Sequence, residues 1–154
     1  VIGEDHLQQI ERMLEGRKVV RYSAVANSPL STLHSLLQDA NVLIIDCFGL
    51  LSSIYHYADV TYVGGGFGVG IHNTLEAAVW DVPVFFGPNN QRFQEAQGLK
   101  ACSAGLEIAD ADDFRRYMQG FEEHPEVVKE LGEKAGQYVA SLSGATEKVL
   151  SSVF

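Results

Sequence analysis

Strand-like runs alternate with helical runs along this chain, and no hairpin signal interrupts them. Parallel strands cannot be joined by a tight turn, so each strand must be followed by a crossover, usually a helix. That pattern predicts an α/β fold, a parallel sheet with helices on both faces. Helical spacing of Leu7, Ile10, Met13 and Leu14 predicts a helix over about 4–15. Strands are expected at 19–23, 42–46, 60–63, 83–86 and 106–108. The run Val42-Leu43-Ile44-Ile45 is continuously apolar, as in a strand buried on both sides. Helices are expected from Pro29 to about Asp39, then over 50–57, 74–80, 92–102, 112–120, 125–141 and 146–153. In such sheets ligands bind outside the carboxyl ends of the strands. The loops at those ends start at Asp46, Gly64 and Gly87, where polar residues and glycines collect.

The second of these loops carries Gly64, Gly65, Gly66, Gly68 and Gly70, five glycines in seven residues. Glycine lets a backbone approach a ligand closely or take a positive φ. A helix beginning just beyond, near Asn73 and Thr74, points unpaired N–H groups and a partial positive charge at the loop. A phosphate is the ligand group this pattern fits, although neither a Walker motif nor a clean G-x-G-x-x-G is present. A structural turn is the competing explanation. Asn73 and Glu76 read either as an N-cap with its N3 partner or as ligand contacts, with Glu76 on a ribose diol. His72 is placed to donate to a phosphate oxygen or to serve the fold alone. Asp46 binds a ligand hydroxyl or caps the helix after it. Asn89 lies in the Gly87-Pro88-Asn89-Asn90 turn, and Arg92, Glu95 and Lys100 beyond it read as a solvated helix face.

At 154 residues the chain fits one domain, residues 1–154. Its net charge of −9 argues against a nucleic-acid partner, which demands basic surface. An anionic ligand must therefore be held locally, by amides. Cys47 and Cys102 fit no metal or redox spacing, which suits a reducing cytoplasm. The histidines show no metal-ligand spacing, no nucleophile elbow is present, and no apolar run reaches the length of a membrane span. Glu4 and Asp5 are unlike the basic start of a signal peptide.

Three segments together resemble a known family. They are Ile44-Ile45-Asp46-Cys47-Phe48-Gly49-Leu50-Leu51-Ser52-Ser53-Ile54-Tyr55, residues 62–78, and Pro83-Val84-Phe85-Phe86-Gly87-Pro88-Asn89-Asn90 with Phe93-Gln94-Glu95-Ala96. They are similar to the C-terminal, donor nucleotide-binding domain of 3-deoxy-D-manno-octulosonic acid (Kdo) transferases, which are GT-B glycosyltransferases. The resemblance implies a Rossmann-like domain and an inverting transfer of Kdo from CMP-Kdo to a lipid A precursor in lipopolysaccharide biosynthesis. It implies no cofactor and no metal. Nucleotide and phosphate contacts would fall on Gly49, Leu50, Gly64, Gly65, Gly66, Gly68, Gly70, His72, Asn73, Thr74 and Glu76, with Asp46, Asn89 and Glu95 as further candidates.

The family often has a glutamate where this chain has Leu50, so only the backbone could serve there. It often has glycine where this chain has Ile71, a change that costs little if the amides still point inward. The catalytic base and the acceptor site belong to an N-terminal domain with no counterpart here, and the first strands of the donor domain also lack one. The expectation is a fragment, inactive alone, of a cytoplasmic enzyme that works at the cytoplasmic face of the inner membrane. The strands it keeps would face a gap, closed up or filled by another copy in a homo-oligomer. The alternatives are another GT-B enzyme using a UDP-sugar, an epimerase, or a non-catalytic nucleotide-binding module.

Overall fold

A computed structural model of the chain describes residues 3–144 and 151. The helix expected over 146–153 therefore lies outside the described residues, apart from Ser151. The chain forms two compact units, residues 1–51 and 52–154.

The first unit opens with α1 (Glu4–Met13), followed by β1 (Val19–Arg21), α2 (Tyr22–Val25), α3 (Leu30–Leu37) and β2 (Val42–Ile44). Pro29 is the N-cap of α3, where its fixed φ suits a helix start. The two strands pair in parallel, with Val20 opposite Leu43. The expected strand over 19–23 ends at Arg21, because Tyr22 starts the one-turn helix α2. Arg21 ties this strand end to α1 through Glu11 (2.7 Å) and Glu4 (2.9 Å). Asp46 does not cap the helix that follows it. Its carboxylate accepts the Ser23 N–H (2.9 Å) and hydroxyl (2.6 Å) in the first turn of α2, and those bonds lower its pKa.

From α4 (Leu51–Ile54) the chain enters the second unit through a 3-10 turn, Tyr55–Tyr57. The strands β3 (Thr61–Val63), β4 (Val84–Phe86) and β5 (Gly105–Glu107) form a parallel sheet in that order, with Tyr62 beside Phe85 and Phe85 beside Leu106. The helices are α5 (Leu75–Ala78), α6 (Gln94–Ala101), α7 (Ala111–Glu123) and α8 (Pro125–Leu142). All three residues of β4 are fully buried, as its central place demands. One sheet face packs Val63, Val84 and Phe86 with Ala77, Ala78, Ala96, Leu99 and Ala135 from α5, α6 and α8. On the other face Phe85 and Leu106 meet Phe114, Met118 and Phe121 of α7. The Phe85 ring stands edge-on to Phe114 at 5.1 Å. Helices thus cover both faces of this sheet, as the alternation of runs predicts, while the hydrogen-bonded strands are grouped as two and three.

Glycines seat α8. A Cβ at Gly132 would lie 2.0 Å from the Asp81 carbonyl oxygen, and one at Gly136 would lie 1.8 Å from the Asp81 carboxylate. Asp81, at a φ of 57°, turns the chain between α5 and β4. The helix can touch that turn only where it lacks side chains. No helix among the described residues is long and apolar enough to cross a membrane.

Candidate functional site

The loops after β3 and β4 leave the same end of the second unit's sheet, and they are built against each other. The Asn89 N–H donates to the Gly66 carbonyl (2.9 Å) and its side-chain amide donates to the Gly68 carbonyl. The Arg92 guanidinium donates to the Val69 carbonyl and lies over the Phe93 ring, 5.2 Å from its centre. A Cβ at Gly66 would meet the Gly87 backbone nitrogen at 2.6 Å. Gly65 and Gly70 have φ values of 93° and 139°, and a Cβ on Gly70 would lie 2.7 Å from the Phe93 ring. Three of the five loop glycines are thus explained by the fold. Gly64 and Gly68 have neither a positive φ nor a close neighbour, so their missing side chains leave open surface for a ligand.

The loop's own hydrogen bonds use the N–H groups of Gly68, Gly70 and His72, which donate to Gly65, Gly65 and Gly64. Among the described residues, the N–H groups of Gly65, Gly66 and Phe67 have no acceptor. Next along the chain, His72, Asn73 and Thr74 line a cavity of about 450 Å³ together with Ile71, Leu75, Phe93 and Glu95. His72 and Asn73 are exposed and Thr74 is buried.

The helix beyond the loop is shorter than expected. α5 is a single turn with Thr74 as its N-cap, followed by turns to Asp81. The field at the end of so short a helix is weak, so an anion here relies on individual amides. The capping box does not form. Asn73 Oδ1 accepts the Leu75 N–H (3.1 Å), and Glu76 accepts the Asn73 side-chain amide (3.0 Å) rather than a backbone N–H. The Glu76 carboxylate, second to burial, pushes the Tyr55 hydroxyl pKa upward.

Behind the β4–α6 turn lies a network that sequence reading missed. Asn90, fully buried, donates to the Gly87 carbonyl (2.9 Å) and to Glu107 Oε2 (2.8 Å), and it accepts from Gln97 (2.8 Å). Lys100 pairs with Glu107 at 2.5 Å. The Asn90 bond, then Lys100, holds the Glu107 carboxyl below the usual carboxylate range. Arg92 is exposed and precedes α6, Lys100 on α6 is half-buried, and each has a partner. Glu95 lines the cavity. Asp46, Gly49 and Leu50 belong to the first unit, where Gly49 has a φ of 88°. No group of three or more acidic, histidine or cysteine side chains suited to a metal occurs among the described residues.

This geometry occurs in a chain with clear relatives. It is 36% identical over 104 residues to a 3-deoxy-D-manno-octulosonic acid transferase of Chlamydia muridarum, covering 66% of this chain and 24% of that protein. It is 33% identical over 78 residues to the transferase of Aquifex aeolicus, covering 49% of this chain and 22% of that one. No family model matches. Among solved structures it is similar to the C-terminal CMP-Kdo binding domain of WaaA from Acinetobacter baumannii. The TM-score is 0.70 at 25% identity, covering 88% of this chain and 67% of that one.

The chain is a homologue of the Kdo transferases.

The structural likeness places the fold of this Kdo transferase homologue with the C-terminal domain of GT-B enzymes. It spans about a quarter of the length of the curated relatives it matches.

Proposed function

We propose that residues 1–154 are one donor-binding domain of a Kdo transferase, and that CMP-Kdo is its ligand. The observation that carries this reading is the pairing of the glycine loop, with its unpartnered N–H groups at Gly65, Gly66 and Phe67, and the adjoining cavity of His72, Asn73, Thr74 and Glu95. The support from outside the chain is its likeness to a CMP-Kdo binding domain. The phosphate of the donor sits on the loop amides, with His72 as a side-chain donor and Glu76 on the ribose hydroxyls. Asp46 stays committed to Ser23.

In the whole enzyme the reaction is a direct displacement with inversion. A base outside this chain takes the proton of the lipid A precursor's hydroxyl. The oxygen attacks the anomeric carbon of Kdo, and the bond to the phosphate breaks with its electron pair leaving on CMP. Amides already aimed at the phosphate stabilise that charge without reorganising, which is electrostatic preorganisation. The chain contributes no base, so alone it transfers no Kdo. The parent works at the cytoplasmic face of the inner membrane. Calorimetry of the 154-residue chain with CMP and UMP tests the reading. Saturable binding of CMP with weaker binding of UMP is expected, and equal or absent binding of both would overturn it.

A further inference from the structure

Besides its internal hydrogen bonds, the glycine loop is held by its neighbour. Carbonyls at Gly66, Gly68 and Val69 all face the β4–α6 connection, where the Asn89 backbone, the Asn89 amide and Arg92 take them. A peptide whose carbonyl is fixed on one side has the following N–H fixed on the other. Capture of the Gly66 and Gly68 oxygens therefore orients the Phe67 and Val69 amides away from the connection. The connection is itself anchored: buried Asn90 links the Gly87 carbonyl to Glu107 at the end of β5, and Lys100 fixes Glu107.

The geometry points to Asn89 and Arg92 as positioning residues of the anion site, which set the loop amides for a phosphate without touching it, with Asn90 and Glu107 as their anchor. This rests on the loop being the phosphate site of the proposed function. The two side chains act from outside the loop, on its carbonyls. Asn89 and Arg92 are both exposed, so removing either side chain leaves the hydrophobic core intact.

The test compares the wild-type chain with Asn89→Leu, Arg92→Met and Asn89→His. The histidine Nδ1–H stands at the same number of bonds from Cα as the Asn89 amide nitrogen and can donate to the same carbonyl. Two quantities are read: hydrogen exchange of the Gly68 and Gly70 amides, which donate within the loop, and the Kd for CMP. Exchange should rise about tenfold or more in Asn89→Leu and Arg92→Met, a scale set by loss of one hydrogen bond. CMP binding should weaken by a similar factor, the melting temperature should hold, and Asn89→His should restore both readouts. Unchanged loop exchange in both Asn89→Leu and Arg92→Met would overturn the positioning role. Raised exchange in a chain whose wild type binds no CMP would keep the clamp and remove the nucleotide reading instead. A uniform fall in melting temperature with no selective change at Gly68 and Gly70 would make the contacts purely structural and overturn the inference.

Discussion

Glu76 separates binding from folding at a single carboxylate. In the structure it accepts the Asn73 side-chain amide and caps no backbone N–H. A glutamine can still accept that bond, so Glu76→Gln should leave the stability within about 0.5 kcal/mol of wild type. It should nonetheless weaken CMP binding, because the neutral amide is a poorer acceptor for two ribose hydroxyls than a carboxylate. Thermal melting beside calorimetry decides the matter, and a stability loss with unchanged affinity would make Glu76 structural. The loop glycines teach a related lesson. Their clustering was legible as a need for close approach, but sequence cannot say approach to what. Gly66 approaches Gly87 and Gly70 approaches Phe93, so a valine at Gly66 would break the fold's own contact. Arg92 was legible only as a charge after a turn, because its partner, the Val69 carbonyl, lies 23 residues back in the sequence. No local pattern encodes that contact.

Between elements, two contacts carry testable energy. Gly132→Ala puts a methyl group 2.0 Å from the Asp81 carbonyl, so α8 or the turn must move. Alanine favours a helix by about 1 kcal/mol over glycine, yet overpacking against backbone costs about 1–3 kcal/mol. The clash should win, and the melting temperature should fall. A rise would mean the helix shifts freely. The second contact is Glu107 with Asn90 and Lys100. Its pKa is lowered in the fold, so its stabilisation is present above the ordinary carboxylate range, near pH 4, and is lost as pH falls through the depressed folded value. The gap in melting temperature between wild type and Glu107→Gln should therefore be open at neutral pH and close below about pH 4. A gap independent of pH would show that the ion pair contributes nothing. The elements themselves were legible because apolar periodicity marks them. Their ends were not: β1 stops at Arg21 and α5 is one turn long, since termini depend on side-chain partners elsewhere.

At the scale of the whole molecule, the exposed edge of the second unit's sheet and the net charge pull in opposite directions. Within the second unit β3 is an edge strand, paired only with β4 among the described residues. Tyr62 in that strand and Phe67 after it are 46% and 56% exposed. With Ile108, Asp110, Ala111 and Phe114 they line a mostly apolar hollow of about 420 Å³. An unpaired edge beside exposed aromatics is a template for association. The net charge of −9 opposes it, because two copies repel. That repulsion is screened over about 10 Å at 0.1 M salt, whereas burial of apolar surface is not. Self-association should therefore grow with added salt, opposite to a contact held by ion pairs. Sedimentation velocity across a dilution series at low and high salt reads this directly. Tyr62→Lys, which places a charge in the edge strand, should reduce the dimer fraction at high salt. A chain that stays monomeric at the highest concentration in both buffers would show that this edge is protected in solution.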